Sequence, residues 1–197
     1  MPDVPFRLHW FATLVPPDAT RPMLEVGCGS GILLELLAAR CPRAELVGID
    51  RSELQVRRAA QRLAKLPRVT QVHHLALESA GVRLGVGRFG LVVAMNVNVV
   101  WTRPEAAGAA LRTLLAHDGR VLLGYEPPTP GGREALRTKL LDAISGTGFV
   151  PHVEHQPSDS TPGVFAIELR RRSQTSAGRQ PAARLAVQKR QRSQGET

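Results

Sequence analysis

Apolar residues in this chain fall into short blocks that are separated by polar or glycine-rich stretches. Continuous apolar runs of about four to eight residues are typical of buried strands, and apolar positions three to four apart indicate one face of a helix. We predict strands over residues 22–26, 44–50, 69–75, 89–97, 119–126, 148–156 and 163–171. We predict helices over residues 31–40, 52–66, 104–116 and 132–144.

The order of these elements predicts the class of fold. Strands and helices largely alternate, which favours an α/β fold of three layers, with a mostly parallel sheet covered by helices on both faces. The last two predicted strands have no helix between them, so we expect them to pair as a hairpin and add an antiparallel edge. The pattern shows neither an internal repeat nor a second domain.

Composition narrows the classes of function. A chain of 197 residues with 43% hydrophobic content is expected to form one globular domain and not a disordered polymer. It has no apolar run of the roughly 20 residues that span a bilayer, and its first 20 residues lack the pattern of a secretory signal. The two cysteines form neither a metal-binding pattern nor a disulfide framework, so we expect reduced thiols, a cytoplasmic protein and no membrane partner.

The net charge of +9 suggests nucleic acid at first, but its distribution weakens that idea. From Arg170 to the end there are eight Lys or Arg residues and one acid, whereas the rest has 18 basic and 16 acidic residues. We therefore expect this basic tail, residues 171–197, to be a disordered and solvated extension. Binding of nucleic acid, which is possible only through this tail, is the alternative.

Three glycines, Gly27, Gly29 and Gly31, lie at alternate positions between a predicted strand and a predicted helix. Glycine adopts positive φ angles and has no Cβ, so the chain can turn sharply while a ligand lies against the backbone. Ligands of open parallel sheets bind beyond the carboxyl ends of the strands, where this loop is expected. The loop suits either a dinucleotide or S-adenosylmethionine, and a tight turn without a ligand is the simpler alternative.

The residues around the loop favour S-adenosylmethionine. The dinucleotide motif is G-x-G-x-x-G, but Ile32 stands where its third glycine would fall after Gly27. Glu25 would repel a pyrophosphate and suits the ammonium of a methionine group. Asp50, at the end of the second predicted strand, can accept hydrogen bonds from two adjacent ribose hydroxyls, a feature that both ligand classes use.

The pattern acid-x-Gly-x-Gly-x-Gly, followed by Asp50, resembles the cofactor motif of class I S-adenosylmethionine-dependent methyltransferases. The resemblance covers about residues 20–170. It implies a Rossmann-like sheet of seven strands in the order 3-2-1-4-5-7-6, with strand 7 antiparallel. It also divides the chain into an N-terminal segment, 1–20, a cofactor-binding domain, 21–170, and the basic tail.

The resemblance implies a set of cofactor-binding residues around the motif. They are Glu25, Gly27, Cys28, Gly29, Gly31, Asp50, Arg51, Leu77, Glu78 and Asn96. Family members often have an acid after the third strand to receive the adenine amino group, but Leu75 stands near that position here. Glu78 is the candidate replacement, with a solvated surface role as the alternative. No metal site is predicted.

The acceptor is less well defined than the cofactor. Methylases of base amines have two prolines and an aromatic residue after the fourth strand, and Asn96-Val97-Asn98-Val99 lacks them. We therefore expect a small-molecule acceptor bound by a monomer or homodimer. The catalytic residues are unassigned, with Tyr125 and Glu126 as candidates after the fifth strand.

Three further expectations concern the whole chain. The N-terminal stretch FRLHWF either forms a lid over the site or packs against the outer helices. A protein of this fold that binds the cofactor without catalysis, as a regulatory or assembly subunit, is the alternative to an enzyme. A methyltransferase of RNA or protein that uses the basic tail is the third hypothesis.

Overall fold

The strands form a single sheet. The computed structural model describes residues 4–66, 70–158, 163–173 and 186–189. The strand order is β3-β2-β1-β4-β5-β7-β6-β8, and β7 runs antiparallel to both β5 and β6. The strands are β1 (Met23–Val26), β2 (Leu46–Asp50), β3 (Thr70–His74), β4 (Phe89–Met95), β5 (Leu115–Tyr125), β6 (Phe149–Gln156), β7 (Phe165–Arg171) and β8 (Ala186–Lys189). The predicted seven-stranded order and the antiparallel strand 7 are confirmed.

The eighth strand corrects one prediction about the basic tail. β8 pairs in parallel with β6, with Val153 opposite Ala186 and Gln156 opposite Lys189. A sheet edge presents unpaired N–H and C=O groups, and they can bind another strand whatever the composition of its flanks. Residues 186–189 are therefore not disordered as predicted. Residues 174–185 and 190–197, the rest of the tail prediction, lie outside the described residues.

Helices cover both faces of the sheet and bury two separate apolar cores. The helices are α1 (Phe6–Thr13), α2 (Ile32–Arg40), α3 (Glu53–Leu63), α4 (Leu77–Leu84), α5 (Val99–Thr102), α6 (Pro104–Leu114) and α7 (Arg133–Ile144). One core joins the sheet to α1, α2 and α3, and the other joins it to α4, α5, α6 and α7. Alternate residues of the central strands point to opposite cores, as the pleat of a strand requires.

The sequence pattern missed α4 and α5. Leu77, Ala80 and Leu84 are buried in α4 at helical spacing, but the segment between β3 and β4 is short and contains three glycines. α5 is a single turn of four residues that follows Asn98. Both helices lie against α6, and burial there stabilises them more than their local sequence does.

The three motif glycines form the predicted turn between β1 and α2. Their φ angles are +69° at Gly27, +52° at Gly29 and +80° at Gly31, a region that other residues enter at a cost. The backbone N–H groups of Gly27 and Cys28 both donate to the carbonyl of Ile49 in β2, which fixes the loop to the carboxyl edge of the sheet. The loop therefore lies where ligands of such sheets bind.

Candidate functional site

The first cavity lies beyond the ends of β1, β2 and β4 and has a volume of about 240 Å³. Apolar side chains of Leu75, Leu77 and Val99 form part of its wall, and Asp50 and Asn98 provide polar groups. Its full lining is Val26, Gly27, Ile49, Asp50, Arg51, Leu75, Leu77, Glu78, Met95, Asn96, Val97, Asn98 and Val99. An apolar slot with a carboxylate at one end is suited to a flat polar ring attached to a sugar.

A second cavity of about 210 Å³ lies on the other side of the glycine loop, beneath α1. Its lining is Arg7, Leu8, Glu25, Gly27, Cys28, Gly29, Ser30, Ile32, Leu33, Met95 and Asn96. Gly27, Met95 and Asn96 line both cavities. The two cavities therefore lie side by side at the carboxyl ends of β1 and β4, with these three residues between them.

Asp50 connects the end of β2 to the glycine loop. Its carboxylate accepts hydrogen bonds from the backbone N–H of Gly29 at 2.9 Å and from that of Ser52 at 2.8 Å. A carboxylate has about four lone-pair positions, so two of them remain for a ligand in the first cavity. Asp50 thus shapes the loop and also presents an acceptor beside it.

Glu25 is buried at the entrance to the glycine loop, with 4% of its surface exposed. Its Oε2 atom is buried and has no hydrogen-bond partner in the protein. Burial raises the pKa of this carboxyl well above its usual value and the negative charge of Asp50 raises it further, while the backbone N–H of Leu34 acts in the opposite direction. A buried acceptor without a partner is costly unless a ligand satisfies it.

Most of the other predicted cofactor residues line these cavities. Arg51, Leu77 and Glu78 line the first cavity together with Leu75, which stands where the family has an acid. The Glu78 carboxylate lies 3.2 Å from the guanidinium of Arg103, so its position at the rim is fixed by an ion pair. Glu78 is therefore, besides Asp50, an acid that lines the first cavity.

Cys28 and Gly31 contribute to the loop in different ways. Cys28 lines the second cavity, and burial raises the pKa of its thiol, which keeps the sulfur protonated and unreactive. Gly31 lies behind the loop, where an added Cβ would stand 3.0 Å from Cβ of Ala59 in α3. Gly31 therefore allows α2 to pack closely on α3, and its contribution to a ligand is indirect.

Asn96 stands between the two cavities in a backbone conformation that is unusual outside glycine. Its φ angle is +57°, and Asn tolerates this region better than most residues. Its N–H donates to the carbonyl of Gly124 at 2.9 Å, and its Oδ1 accepts from the N–H of Glu126 at 2.8 Å. Asn96 thus binds the end of β4 to the end of β5 and fixes the wall that both cavities share.

The two candidate catalytic residues have different surroundings. Tyr125 is 1% exposed, its hydroxyl donates to the carbonyl of Val97 at 2.9 Å, and its ring packs against Trp101 and Phe165. Burial raises the pKa of the Tyr125 hydroxyl. In contrast to the expectation from the sequence, Tyr125 supports the loop after β4 and does not face an acceptor.

Glu126 does not line either cavity itself, but its partner Arg7 lines the second one, and both side chains are about one-third exposed. The Arg7 guanidinium donates to the Glu126 carboxylate at 2.9 Å, which joins α1 to the end of β5. Sequence reasoning missed Arg7 because it considered only the aromatic residues of the N-terminal stretch. Among the residues that the structure describes, no group of His, Cys, Asp and Glu is arranged to hold a metal ion.

The N-terminal segment packs on the domain and also borders the second cavity. Phe11 and Ala12 of α1 are buried in the core that α2 shares, whereas Phe6 is 43% exposed. Arg7 and Leu8 line the second cavity. The sequence analysis expected this segment either to form a lid or to pack against the outer helices, and Phe11 packs in the core. None of the helices in the described part of the chain has the length and hydropathy needed to cross a membrane.

Known proteins resemble this chain in sequence and in structure. A family model described as a methyltransferase domain matches residues 24–121, roughly half of the chain. Trans-aconitate 2-methyltransferase of Afipia carboxidovorans is 43% identical over 49 residues, which are 25% of this chain. The match spans 19% of that enzyme, about a fifth of its length.

Solved structures share the fold at low sequence identity. A TehB-like SAM-dependent methyltransferase from Corynebacterium glutamicum has a TM-score of 0.62 at 16% identity, over 86% of this chain and 89% of that one. A predicted O-methyltransferase from Agrobacterium tumefaciens has a TM-score of 0.66 at 18% identity, over 92% of this chain and 85% of that one. These likenesses confirm the architecture described above.

Proposed function

The domain that contains residues 24–121 belongs to the class I S-adenosylmethionine-dependent methyltransferases, and we propose that it methylates a small organic acceptor. The family and the fold imply S-adenosylmethionine as the methyl donor. The observation that supports the proposal most strongly is the pair of cavities that meet at Gly27 and Asn96. The first cavity has a carboxylate, Asp50, that can accept hydrogen bonds from a nucleoside. The second has charged groups, Glu25 and Arg7, that suit an amino acid.

The first cavity fits the nucleoside part of this donor. Asp50 offers carboxylate lone pairs to ribose hydroxyls, and Leu75 and Leu77 provide apolar surfaces for the adenine ring. Glu78 at the rim is placed to accept a hydrogen bond from an amino group. The residues present therefore fit the group that the family uses, although the usual acid at position 75 is absent.

The second cavity fits the amino-acid part. Glu25 has an unpaired buried oxygen that suits an ammonium group, and the guanidinium of Arg7 suits a carboxylate. Gly29 has no protein atom within 4 Å of the place where a Cβ would lie, so the backbone is open to a ligand there. The ammonium of such a ligand would pair with the Glu25 oxygen that the protein leaves without a partner, and its carboxylate would share the Arg7 guanidinium with Glu126.

The bound donor would supply a methyl group that is already activated by the positive charge on its sulfur. The protein then has to align the acceptor with that methyl group and to exclude water, and alignment alone can provide several kcal/mol. Asn96 holds the wall at the junction of the cavities, and Glu126 at the mouth can take a proton from an acceptor hydroxyl or amine. Tyr125 and Trp101 keep the adjoining loop in place.

The proposal of a small acceptor is supported by the size of the site. Helix α1 packs against the domain. Among the described residues 23–66 and 70–158, no insertion forms a separate substrate domain. The name of the curated relative is not transferred, because only a fifth of that enzyme is matched.

Calorimetry with S-adenosylmethionine, with NADH as the control ligand, tests the proposal. We expect S-adenosylmethionine to bind with a stoichiometry of one and NADH not to bind. A panel of small hydroxyl, amine and carboxylate acceptors should then include at least one that yields S-adenosylhomocysteine with multiple turnovers. Binding of NADH in place of S-adenosylmethionine would refute the cofactor, and binding without turnover on any acceptor, including RNA and protein, would favour a non-catalytic subunit.

A further inference from the structure

The environment of Glu25 has a consequence for ligand binding that rests on the proposed function. This carboxyl is 4% exposed and lines the second cavity through the floor of the glycine loop. Its Oε2 atom has no partner in the protein. A buried carboxylate without a cationic partner is strongly disfavoured, so the group binds a proton more readily than a carboxyl in water does.

The charged groups around Glu25 do not offset this effect. Asp50 at the end of β2 is negative, and it opposes ionisation of Glu25 from the other side of the loop. Arg7 of α1 lines the same cavity, but its guanidinium is paired with Glu126. Cys28 is a protonated thiol, since burial raises its pKa. The backbone N–H of Leu34 in α2 favours the ionised form and is outweighed by burial.

We propose that Glu25 is protonated in the free protein and releases its proton when the α-ammonium group of the ligand enters the second cavity. The O–H bond of the carboxyl breaks, the proton passes to a base of the solvent, and the resulting carboxylate pairs with the ammonium. Binding of the methyl donor is therefore coupled to the release of one proton. The adenosine part of the ligand has no role in this step.

The pH dependence of this coupling follows from its sign. Burial and Asp50 raise the pKa of Glu25 in the free protein, and the ligand's ammonium lowers it in the complex. At pH values between the pKa of Glu25 in the complex and its pKa in the free protein, binding releases a proton. The affinity therefore rises with pH by about tenfold per pH unit. The α-ammonium of the ligand stays protonated up to about pH 7.7, which leaves the acidic range for the measurement.

Isothermal titration calorimetry in two buffers with different ionisation enthalpies measures the number of protons released. We expect proton release to approach one at a pH between about 4.3 and about 7.7 for S-adenosylmethionine and also for S-adenosylhomocysteine, because both carry the ammonium group. 5′-Methylthioadenosine has the nucleoside but lacks the amino acid, and we expect it to bind without proton release. These three ligands separate the two cavities in one experiment.

Matched variants identify the group that loses the proton. Glu25→Gln has nearly the same shape and no titratable proton, so it should bind S-adenosylmethionine more weakly, with no proton release and no increase of affinity with pH. Glu35→Gln removes a carboxylate of α2 that is paired with Arg62 outside the cavities, and it should behave like the wild type.

The outcomes distinguish this inference from the proposed function. If S-adenosylmethionine does not bind to the wild-type protein, the proposed function fails. If it binds without proton release, or if Glu25→Gln releases as many protons as the wild type, the role of Glu25 is refuted and the proposed function stands. Equal proton release with 5′-methylthioadenosine would also overturn the inference, since that ligand has no ammonium group.

Discussion

Gly27 and Gly29 both have positive φ angles, but the space around them differs. A Cβ on Gly27 would lie 2.6 Å from Cγ2 of Val97, so this glycine allows the loop to pack against the segment after β4. A Cβ on Gly29 would meet no protein atom within 4 Å. Packing of the protein thus explains Gly27, whereas the open space at Gly29 is available to a ligand.

Replacement of Gly29 should separate binding from folding. Gly29→Leu should lower the affinity for S-adenosylmethionine by at least 100-fold, or about 3 kcal/mol, because the side chain would occupy the second cavity. The backbone strain should cost only about 1–2 kcal/mol of unfolding free energy. Calorimetry and urea denaturation measure the two quantities.

Gly87→Leu is the matched control for this strain. Gly87 has a φ angle of +65° and open space around its Cβ position, and it lies in the turn between α4 and β4. The Gly87→Leu variant should lose about as much unfolding free energy as Gly29→Leu and should keep the full affinity for S-adenosylmethionine. Retention of affinity by Gly29→Leu would show that the ligand does not lie against this part of the loop.

Glu25 should also make stability depend on pH. Its pKa is raised in the folded state, so the folded protein holds a proton that the unfolded chain releases once the pH exceeds about 4.3. Stability is therefore lost as the pH rises from that value towards the raised pKa of Glu25. Glu25→Gln removes this loss and should raise the unfolding free energy by about 1 kcal/mol or more at about pH 7.

Urea denaturation of the wild type and Glu25→Gln at about pH 4 and about pH 7 measures this effect. We expect the difference in unfolding free energy to be larger at the higher pH. A variant that is less stable than the wild type at both pH values by the same amount would show that Glu25 is ionised and favourable in the folded protein.

At the scale of elements, α1 and the strand-end loops form the walls of the site. The ring of Phe11 in α1 lies against β5, where a Cβ on Gly124 would stand 2.5 Å from its Cε2 atom. Phe11 is fully buried, so α1 is held to the sheet by its C-terminal half. Arg7 at the other end of α1 then reaches Glu126 across the mouth of the second cavity.

Truncation of Phe11 should release α1 from the sheet. Phe11→Ala should cost about 3–5 kcal/mol of unfolding free energy, the usual range for a buried ring, and should weaken cofactor binding because Arg7 loses its position. Phe6→Ala is the control, since Phe6 is 43% exposed and should change stability by less than about 1 kcal/mol. Thermal denaturation and calorimetry of both variants test the role of α1, and equal losses in the two would contradict it.

The loop after β4 depends on a residue from the neighbouring strand. Tyr125→Phe removes the hydrogen bond to the carbonyl of Val97 and should cost about 1 kcal/mol of stability. Because Tyr125 does not face the cavities, turnover should fall only a few-fold, through looser packing of Val97 and Asn98. A loss of activity of 1,000-fold or more, with stability unchanged, would indicate that the hydroxyl takes part in the chemistry, since such losses are on the order of those for catalytic groups.

At the scale of the whole molecule, the site and the described strand of the basic tail lie far apart in the sheet. β8 is the edge strand beside β6, and β4, β5, β7 and β6 separate it from β1 and the glycine loop. The backbone of residues 186–189 is thus well separated from the strand ends that form the cofactor cavities.

A chain that ends at Ser173 should therefore bind S-adenosylmethionine within about twofold of the full-length affinity, since β8, the part of the tail beyond Ser173 that the structure describes, is separated from β1 by four strands. If the full chain binds RNA, that binding should weaken steeply with salt and disappear in the shortened chain. Calorimetry and electrophoretic mobility measurements at two salt concentrations test both expectations. RNA binding that survives the truncation would show that the folded domain itself contacts nucleic acid.

The sequence by itself determined the family, the seven-strand order and the glycine turn. Periodicity and glycine chemistry are local properties, and Gly27, Gly29 and Gly31 have the positive φ angles that the motif requires. Ser52 likewise caps α3 by accepting a hydrogen bond from the N–H of Gln55 at 3.4 Å, as expected of a serine there. Strong local preferences of this kind can be predicted from the sequence without knowledge of the tertiary contacts.

Only the tertiary structure decided which residues meet at the site. Arg7, Glu25 and Glu126 come from three separate segments, and the second cavity exists only where α1 crosses the glycine loop. The burial of Tyr125 beneath Trp101 and the short helices α4 and α5 also depend on packing between distant elements. Such features result from burial and long-range contacts, and a local pattern of residues does not specify them.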